Sequence, residues 1–276
     1  MVPRVLTIAG SDSGGGAGIQ ADLKGFAAAG AHGVSAIVAL TAQNTVGVTA
    51  VHEVPPEFVR AQLEAVWDDI GVDAAKTGML FSQEVIVAVA DFLAEHRVPL
   101  VVDPVIVASS GARLLRDDAV DALVARLFPL ATVVTPNLPE AEALASHVQG
   151  PGPWTRPELA EAMVELGAAA VIVTGGHGEP VDHLFDGRRH VEIPVDRYDV
   201  AATHGAGCTH SATLAALLAR GLSLEEAARG AAAAASEAVR NGLAEIGQGD
   251  GPVDVLHVKE RDAVLTRTDA AQAPRA

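Results

Sequence analysis

Six short runs of apolar, mostly β-branched residues recur along this chain, each separated from the next by a longer stretch with helical character: Arg4–Ala9, Val34–Leu40, Ala74–Thr77, Leu100–Val102, Thr132–Val134 and Val171–Val173. Runs this short and this uniformly apolar are what strands buried on both faces of a parallel sheet require. The stretches between them carry helix starts. Pro55-Pro56-Glu57 opens one helix, Ser82 caps another, and Thr155-Arg156-Pro157-Glu158 and Ser223-Leu224-Glu225-Glu226 have capping-box spacing. A strand–helix alternation of this kind closes into one sheet covered on both sides by helices. The expected fold is therefore α/β: a three-layer α/β/α arrangement with a mostly parallel central sheet. Two further runs, Val181–Phe185 and His190–Val195, predict a hairpin turning at Asp186-Gly187. A single domain is expected over residues 1–260, followed by a polar tail over 261–276.

Composition narrows the partners. With 276 residues and 49% of them hydrophobic, one such domain buries roughly 70–75% of its unfolded surface. A net charge of -16 argues against nucleic acid or an anionic membrane as partner. No stretch has the apolar continuity of a membrane span, and Met1-Val2-Pro3-Arg4 leads straight into the first run, unlike a secretory signal. Cys208 is the only cysteine, which excludes an internal disulfide and a cysteine-rich metal site. A reducing, cytoplasmic setting is expected.

In open parallel sheets, ligands gather beyond the carboxyl ends of the strands. Here those ends carry Gly10-Ser11-Asp12-Ser13-Gly14-Gly15-Gly16-Ala17-Gly18, Thr41-Ala42-Gln43-Asn44-Thr45, Lys76-Thr77-Gly78-Met79, Asp103-Pro104, Thr135-Pro136-Asn137-Leu138-Pro139-Glu140 and Thr174-Gly175-Gly176-His177. Each fits ordinary loop chemistry; together they read as one assembled site. Thr203-His204-Gly205-Ala206-Gly207-Cys208 precedes an alanine-rich helix, and free N–H groups at such a helix start form an anion site suited to a phosphoryl group. A glycine loop that merely enters a buried helix has the same appearance, so the stretch alone leaves both readings open. None of the three lysines follows glycine as a Walker A motif requires. Gly16-Ala17-Gly18-Ile19-Gln20-Ala21 matches a loose dinucleotide pattern, but the second strand ends in amide and hydroxyl residues instead of the acid that would hold a ribose. Asp103 and Glu140 are the carboxylates best placed for magnesium, which takes few protein carboxylates and completes its shell with water and phosphate. Taken singly, Asp103 also reads as a turn acid before proline and Glu140 as a helix-start acid.

These blocks, in this order from residue 5 to about 240, resemble the hydroxymethylpyrimidine and phosphomethylpyrimidine kinases of the ribokinase-like superfamily. The resemblance implies ATP-dependent phosphorylation of 4-amino-5-hydroxymethyl-2-methylpyrimidine and then of its monophosphate, in thiamin biosynthesis, with Mg2+ and ATP and commonly as a homodimer. It implies that Asp22 and Gln43 hold the aminopyrimidine, with Met79 against the ring and Gly10 beside it. Asn137 and Glu140 form an N-x-x-E element near magnesium and phosphate, Asp103 joins Glu140 at the metal, and Thr174, Gly176 and Thr203 border the nucleotide. Ala206, Gly207 and Cys208 supply the backbone anion hole, with Gly205 beside them in the catalytic loop. Many members have lysine where this chain has Thr174, so a lysine–phosphate contact is not carried over.

Position 208 is typically aspartate, acting as base, in the related sugar kinases. A free cysteine has a pKa of about 8.5 that a helix N-terminus lowers, so Cys208 reads either as a base or as a weakly polar wall. Two other readings stand beside the pyrimidine kinase: a pyridoxal kinase of the same superfamily, and a non-catalytic sensor of nucleotide or thiamin precursor that keeps the fold.

Overall fold

Nine strands form one sheet in the order β3-β2-β1-β4-β5-β6-β7-β8-β9. The strands are β1 (Arg4–Asp12), β2 (His32–Gln43), β3 (Val48–Glu53), β4 (Ala74–Thr77), β5 (Leu100–Val102), β6 (Val133–Val134), β7 (Val171–Val173), β8 (Val181–Phe185) and β9 (His190–Pro194). The structure, a computed structural model, describes residues 1–107, 111, 114–116 and 118–261. The tail expected over 261–276 lies outside the described residues except for Arg261. From β2 through β1, β4, β5 and β6 to β7, every neighbouring pair is parallel. The β2–β3, β7–β8 and β8–β9 pairs are antiparallel.

The helices are α1 (Gly18–Ala28), α2 (Pro56–Asp69), α3 (Gln83–Glu95), α4 (Ala119–Ala122), which continues as a helical stretch to Leu130, α5 (Leu138–Gln149), α6 (Arg156–Glu165), α7 (Ala206–Ala219) and α8 (Leu224–Arg240). The predicted starts hold. Ser82 accepts the N–H of Val85, and Thr155 and Ser223 close capping boxes with Glu158 and Glu226. Strand residues alternate between two cores. Val5, Ala74, Val101 and Ile172 pack against Phe26 of α1, Leu214 of α7 and Ala228 of α8. Leu6, Ile8, Ala75, Leu100 and Val102 pack against Leu63, Ile86, Phe92 and Leu144 on the other side. This is the three-layer α/β/α arrangement. Among the described residues, no helix is long and apolar enough to cross a membrane.

Sequence patterning misses β3, because an antiparallel edge strand exposed on one side carries Thr49, His52 and Glu53 in place of an apolar run. β1 and β2 also run on past their apolar stretches to Asp12 and Gln43, so the ladder carries polar groups to the carboxyl edge. β1 leads through α1 to β2 on one side, whereas β4, on its other side, leads through α3 to β5. The carboxyl ends of β1 and β4 therefore flank the switch point where this kind of sheet opens a crevice.

Candidate active site

The crevice is walled by the start of α7. Gly205 occupies the position before the helix with φ of +87°, which favours glycine. A Cβ there would stand 1.8 Å from the carbonyl oxygen of Gly16, so the two loops touch main chain to main chain. The Ala206 N–H turns back to the Thr203 carbonyl at 3.1 Å. Of the three donors the sequence reading gives to the anion hole, only those of Gly207 and Cys208 are thus left without a backbone acceptor among the described residues. Thr203 is itself tied down, its N–H and hydroxyl donating to Asp250 at 2.8 and 3.0 Å.

Beneath the helix start lies a buried polar floor. Thr7 and Lys76 are register partners on β1 and β4 and face α1 and α7. Lys76 donates to Asp22 Oδ1 at 2.9 Å and Thr7 to Asp22 Oδ2 at 2.6 Å. Asp103, one residue beyond β5, lies 3.5 Å from the Lys76 ammonium and accepts from Ser211 of α7 at 2.8 Å. Burial alone would lower the pKa of the ammonium, but the carboxylates of Asp22 and Asp103 hold it above its usual range. Asp22, expected on the substrate ring, is instead fully buried in this floor with both oxygens engaged.

Cys208 sits over the same cluster, and the helix start does not acidify it. Burial, with the negative charges of Asp22 and Asp103, pushes the thiol up to about 12 against the pull of Lys76 and the Gly18 N–H. The residue retains some surface.

Asn137 and Glu140 are a capping box for α5. Asn137 Oδ1 accepts the Glu140 N–H at 2.9 Å and Glu140 Oε2 accepts the Asn137 N–H at 3.0 Å. Burial and the charge of Asp103 push the Glu140 carboxyl up to about 8, against the N–H groups of Asn137 and Ile106. Two buried carboxylates in mutual repulsion suit a hard divalent cation, and Mg2+ needs no more protein oxygen than this when phosphates complete its shell. No group of three or more His, Cys, Asp or Glu residues forms a ready-made metal cage among the described residues. Thr174 bridges to Asn137 across the strand ends, and Gly176 is exposed in the loop that follows.

On the β2 side, Gln43 and His204 line a recess of about 280 Å3 with Asn44, Thr45 and Gln248–Asp250. Met79 lies over Gly10, where a Cβ would fall 2.4 Å from the methionine methyl. On the other side, a groove of about 440 Å3 runs between the end of β9 and α8, lined by Val195, Tyr198, Ala232 and Ser236. β9 runs parallel to β7, so its end lies on the same carboxyl edge.

Sequence reasoning gave no role to Thr7, Lys76 and Ser211, nor to two buried pairs, His204–Asp12 and His210–Asp182. One signal was present. Lys76 interrupts an otherwise apolar strand, and a charge in a buried strand needs partners.

Residues 12–254 match the family model described as phosphomethylpyrimidine kinase. The chain belongs to that family. It is 50% identical to the hydroxymethylpyrimidine/phosphomethylpyrimidine kinase of Rhizobium meliloti, over 93% of this chain and 98% of that one. Among solved structures, it superposes on Bacillus subtilis pyridoxal kinase in its ADP complex with a TM-score of 0.83 and 36% identity, covering 94% and 99% of the two chains. It also superposes on Clostridium difficile phosphomethylpyrimidine kinase with a TM-score of 0.72 and 40% identity, covering 83% and 96%. The family is thus one of kinases, with a nucleotide-bound neighbour of the same fold.

Proposed function

We propose that this chain transfers the γ-phosphoryl group of Mg-ATP to the hydroxymethyl group of 4-amino-5-hydroxymethyl-2-methylpyrimidine, and then a second phosphoryl group to the resulting monophosphate, in the cytoplasm. The observation that carries this reading is the helix start behind Gly205, with two N–H groups free, standing over the switch-point crevice beside Asp103 and Glu140.

Phosphoryl transfer asks a protein for alignment and charge neutralisation more than for covalent chemistry. The Gly207 and Cys208 N–H groups and the α7 dipole would hold the phosphoryl oxygens. Asp103 and Glu140 would hold Mg2+, which supplies positive charge shared between phosphate oxygens. Gln43 and Met79 would hold the pyrimidine, Met79 across its face and the Gln43 amide at its nitrogen edge. The nucleoside end would extend past Thr174 and Gly176 into the groove between β9 and α8. Asp22 would act from beneath by keeping Lys76 in place. Cys208, neutral, would line the acceptor position without repelling it. An alcohol attacks in the first transfer and an anionic phosphate in the second, and a neutral wall serves both, whereas a carboxylate would repel the phosphate.

A second reading has a specific observation behind it: the pyridoxal kinase of Bacillus subtilis superposes with the higher of the two TM-scores. Pyridoxal also presents a hydroxymethyl group on a flat heteroaromatic ring. The deciding experiment offers Mg-ATP with hydroxymethylpyrimidine, with its monophosphate and with pyridoxal in separate reactions, and identifies products by mass spectrometry. Diphosphate made from the monophosphate is the expected result. Turnover of pyridoxal with no second phosphorylation replaces the pyrimidine reading with the pyridoxal one.

A further inference from the structure

Two histidines bracket the start of α7, and each is bound to a carboxylate that gathers backbone N–H groups from a different loop of the crevice. His204, immediately before Gly205, is buried and donates through Nε2 to Asp12 Oδ2 at 2.9 Å. Asp12 also accepts the N–H groups of Gly14 at 2.7 Å, Gly16 at 3.1 Å and Ala17 at 2.9 Å. The whole glycine run after β1 is thus folded around one carboxylate, and that carboxylate is fastened to His204. The Cδ2–Nε2 edge of the ring lies against Gly16, and the residue lines the recess that holds Gln43. The backbone of His204 is itself anchored, its N–H donating to Gly251 and its carbonyl accepting from Val253.

His210 repeats the device on the other side. It sits in the second turn of α7, 5% exposed, and donates through Nε2 to Asp182 Oδ2 at 3.0 Å. Asp182 Oδ1 accepts the N–H of Gly175 at 2.6 Å, in the loop that carries Thr174 and Gly176. The other ring nitrogen, Nδ1, is buried with no partner among the described residues. Buried polar groups are normally satisfied, so the geometry retains this ring for its single bond to Asp182. Both carboxylates are held below their usual range although burial opposes this, Asp12 chiefly by its hydrogen bond from His204 and Asp182 chiefly by its contact with His210.

We propose that His204 and His210 are positioning residues that register two separate loops on one helix end, His204 the loop on the acceptor side and His210 the loop on the nucleotide side. The proposal rests on the kinase reading, because that reading assigns acceptor and nucleotide to the two sides. Asp12 gathers only the glycine run and Asp182 only the loop at Gly175, so the two ligands should respond chiefly to different histidines. A histidine needed only for folding would weaken both ligands together.

The test uses the full chain and equilibrium titration calorimetry, with Mg-AMP-PNP and hydroxymethylpyrimidine as separate probes, on His204→Leu, His204→Gln, His210→Leu and His210→Gln. Glutamine places an amide N–H near the position of Nε2 and can restore the bond. Loss of a hydrogen bond to a charged group should weaken binding about tenfold. His210→Leu is expected to weaken Mg-AMP-PNP by that factor while leaving hydroxymethylpyrimidine within about twofold. His204→Leu is expected to do the reverse, and each glutamine variant to recover most of the loss. Equal weakening of both probes in either leucine variant, or no weakening in either, overturns the proposal. If a leucine variant does not fold, the glutamine variant together with Asp182→Asn or Asp12→Asn carries the same split, and its absence there has the same force. Wild-type protein that binds neither probe refutes the kinase reading itself, whereas wild-type binding without the split refutes only the positioning role.

Discussion

Replacing Lys76 with methionine tests whether the floor beneath the helix start is held by charge. The ammonium lies 2.9 Å from Asp22 and 3.5 Å from Asp103, and the Lys76 and Asp22 side chains are solvent-free. Methionine keeps most of the volume but leaves Asp22 with only the Thr7 hydroxyl. The carboxylate must then stay ionised and unpaired or take up a proton. Protonation at pH 7 of a group whose free pKa is about 3.9 costs about 4 kcal/mol, which agrees with the roughly 3–5 kcal/mol seen when one member of a buried pair is removed. That is a large part of the roughly 5–15 kcal/mol that holds a domain together, and it corresponds to a fall in melting temperature of about 10 °C for a chain of this size. Removing the charge on both sides, as Lys76→Met with Asp22→Asn, takes away the unpaired carboxylate, so the double variant should be less destabilised than the two singles summed, with a coupling of at least about 2 kcal/mol. Urea unfolding followed by circular dichroism on all four proteins measures this. A Lys76→Met cost below about 1 kcal/mol, or additivity within about 0.5 kcal/mol, would refute the claim that the ion pair organises the floor.

Cys208→Asp should spare the phosphorylation of hydroxymethylpyrimidine more than that of its monophosphate, since it adds a third carboxylate beside Asp22 and Asp103 and faces an anionic acceptor only in the second step; equal losses in separately measured steps would remove the reason given for the thiol. Gly205→Ala places a methyl group into the Gly16 carbonyl and strains a positive φ, so a loss of stability of about 1–3 kcal/mol is expected, together with loss of turnover; unchanged kinetics would mean that the two loops can part. Asp12 and Asp182 are both held low, and a lowered folded pKa gives stability that is complete above about pH 4 and lost as pH falls through the folded value. The urea midpoint should therefore drop below about pH 4, and the drop should be shallower in Asp182→Asn; an identical acid limb in that variant would count against the pairing.

The parallel strands were legible because strands buried on both faces have nowhere to put polar residues, and β4, β5 and β7 match the apolar runs residue for residue. β3 was not, since an edge strand half open to solvent has no such restriction. Asn137-x-x-Glu140 has the same spacing as the capping boxes at Thr155 and Ser223; the sequence offers Glu140 both as a metal carboxylate and as a helix-start acid, and the structure shows the full capping geometry. The floor and the histidine pairs were illegible for a different reason. Asp12 and His204 are 192 positions apart and meet only because β1 ends where α7 begins, on the same edge of the sheet. The rise in the Cys208 pKa likewise follows from two carboxylates that folding brings beneath it, which local helix-start chemistry does not reveal.

The contact between Gly205 and Gly16 has an evolutionary consequence. At the middle of the crevice two backbones meet with no side chain between them, so a side chain at Gly205 would drive the two loops apart, and one at Gly16 would displace the His204 ring. Descent with modification must then work from the margins, through side chains such as Gln43 and Met79 that lie on other strand ends. A lineage built on this plan can exchange one flat heteroaromatic alcohol for another while the transfer centre is inherited unchanged.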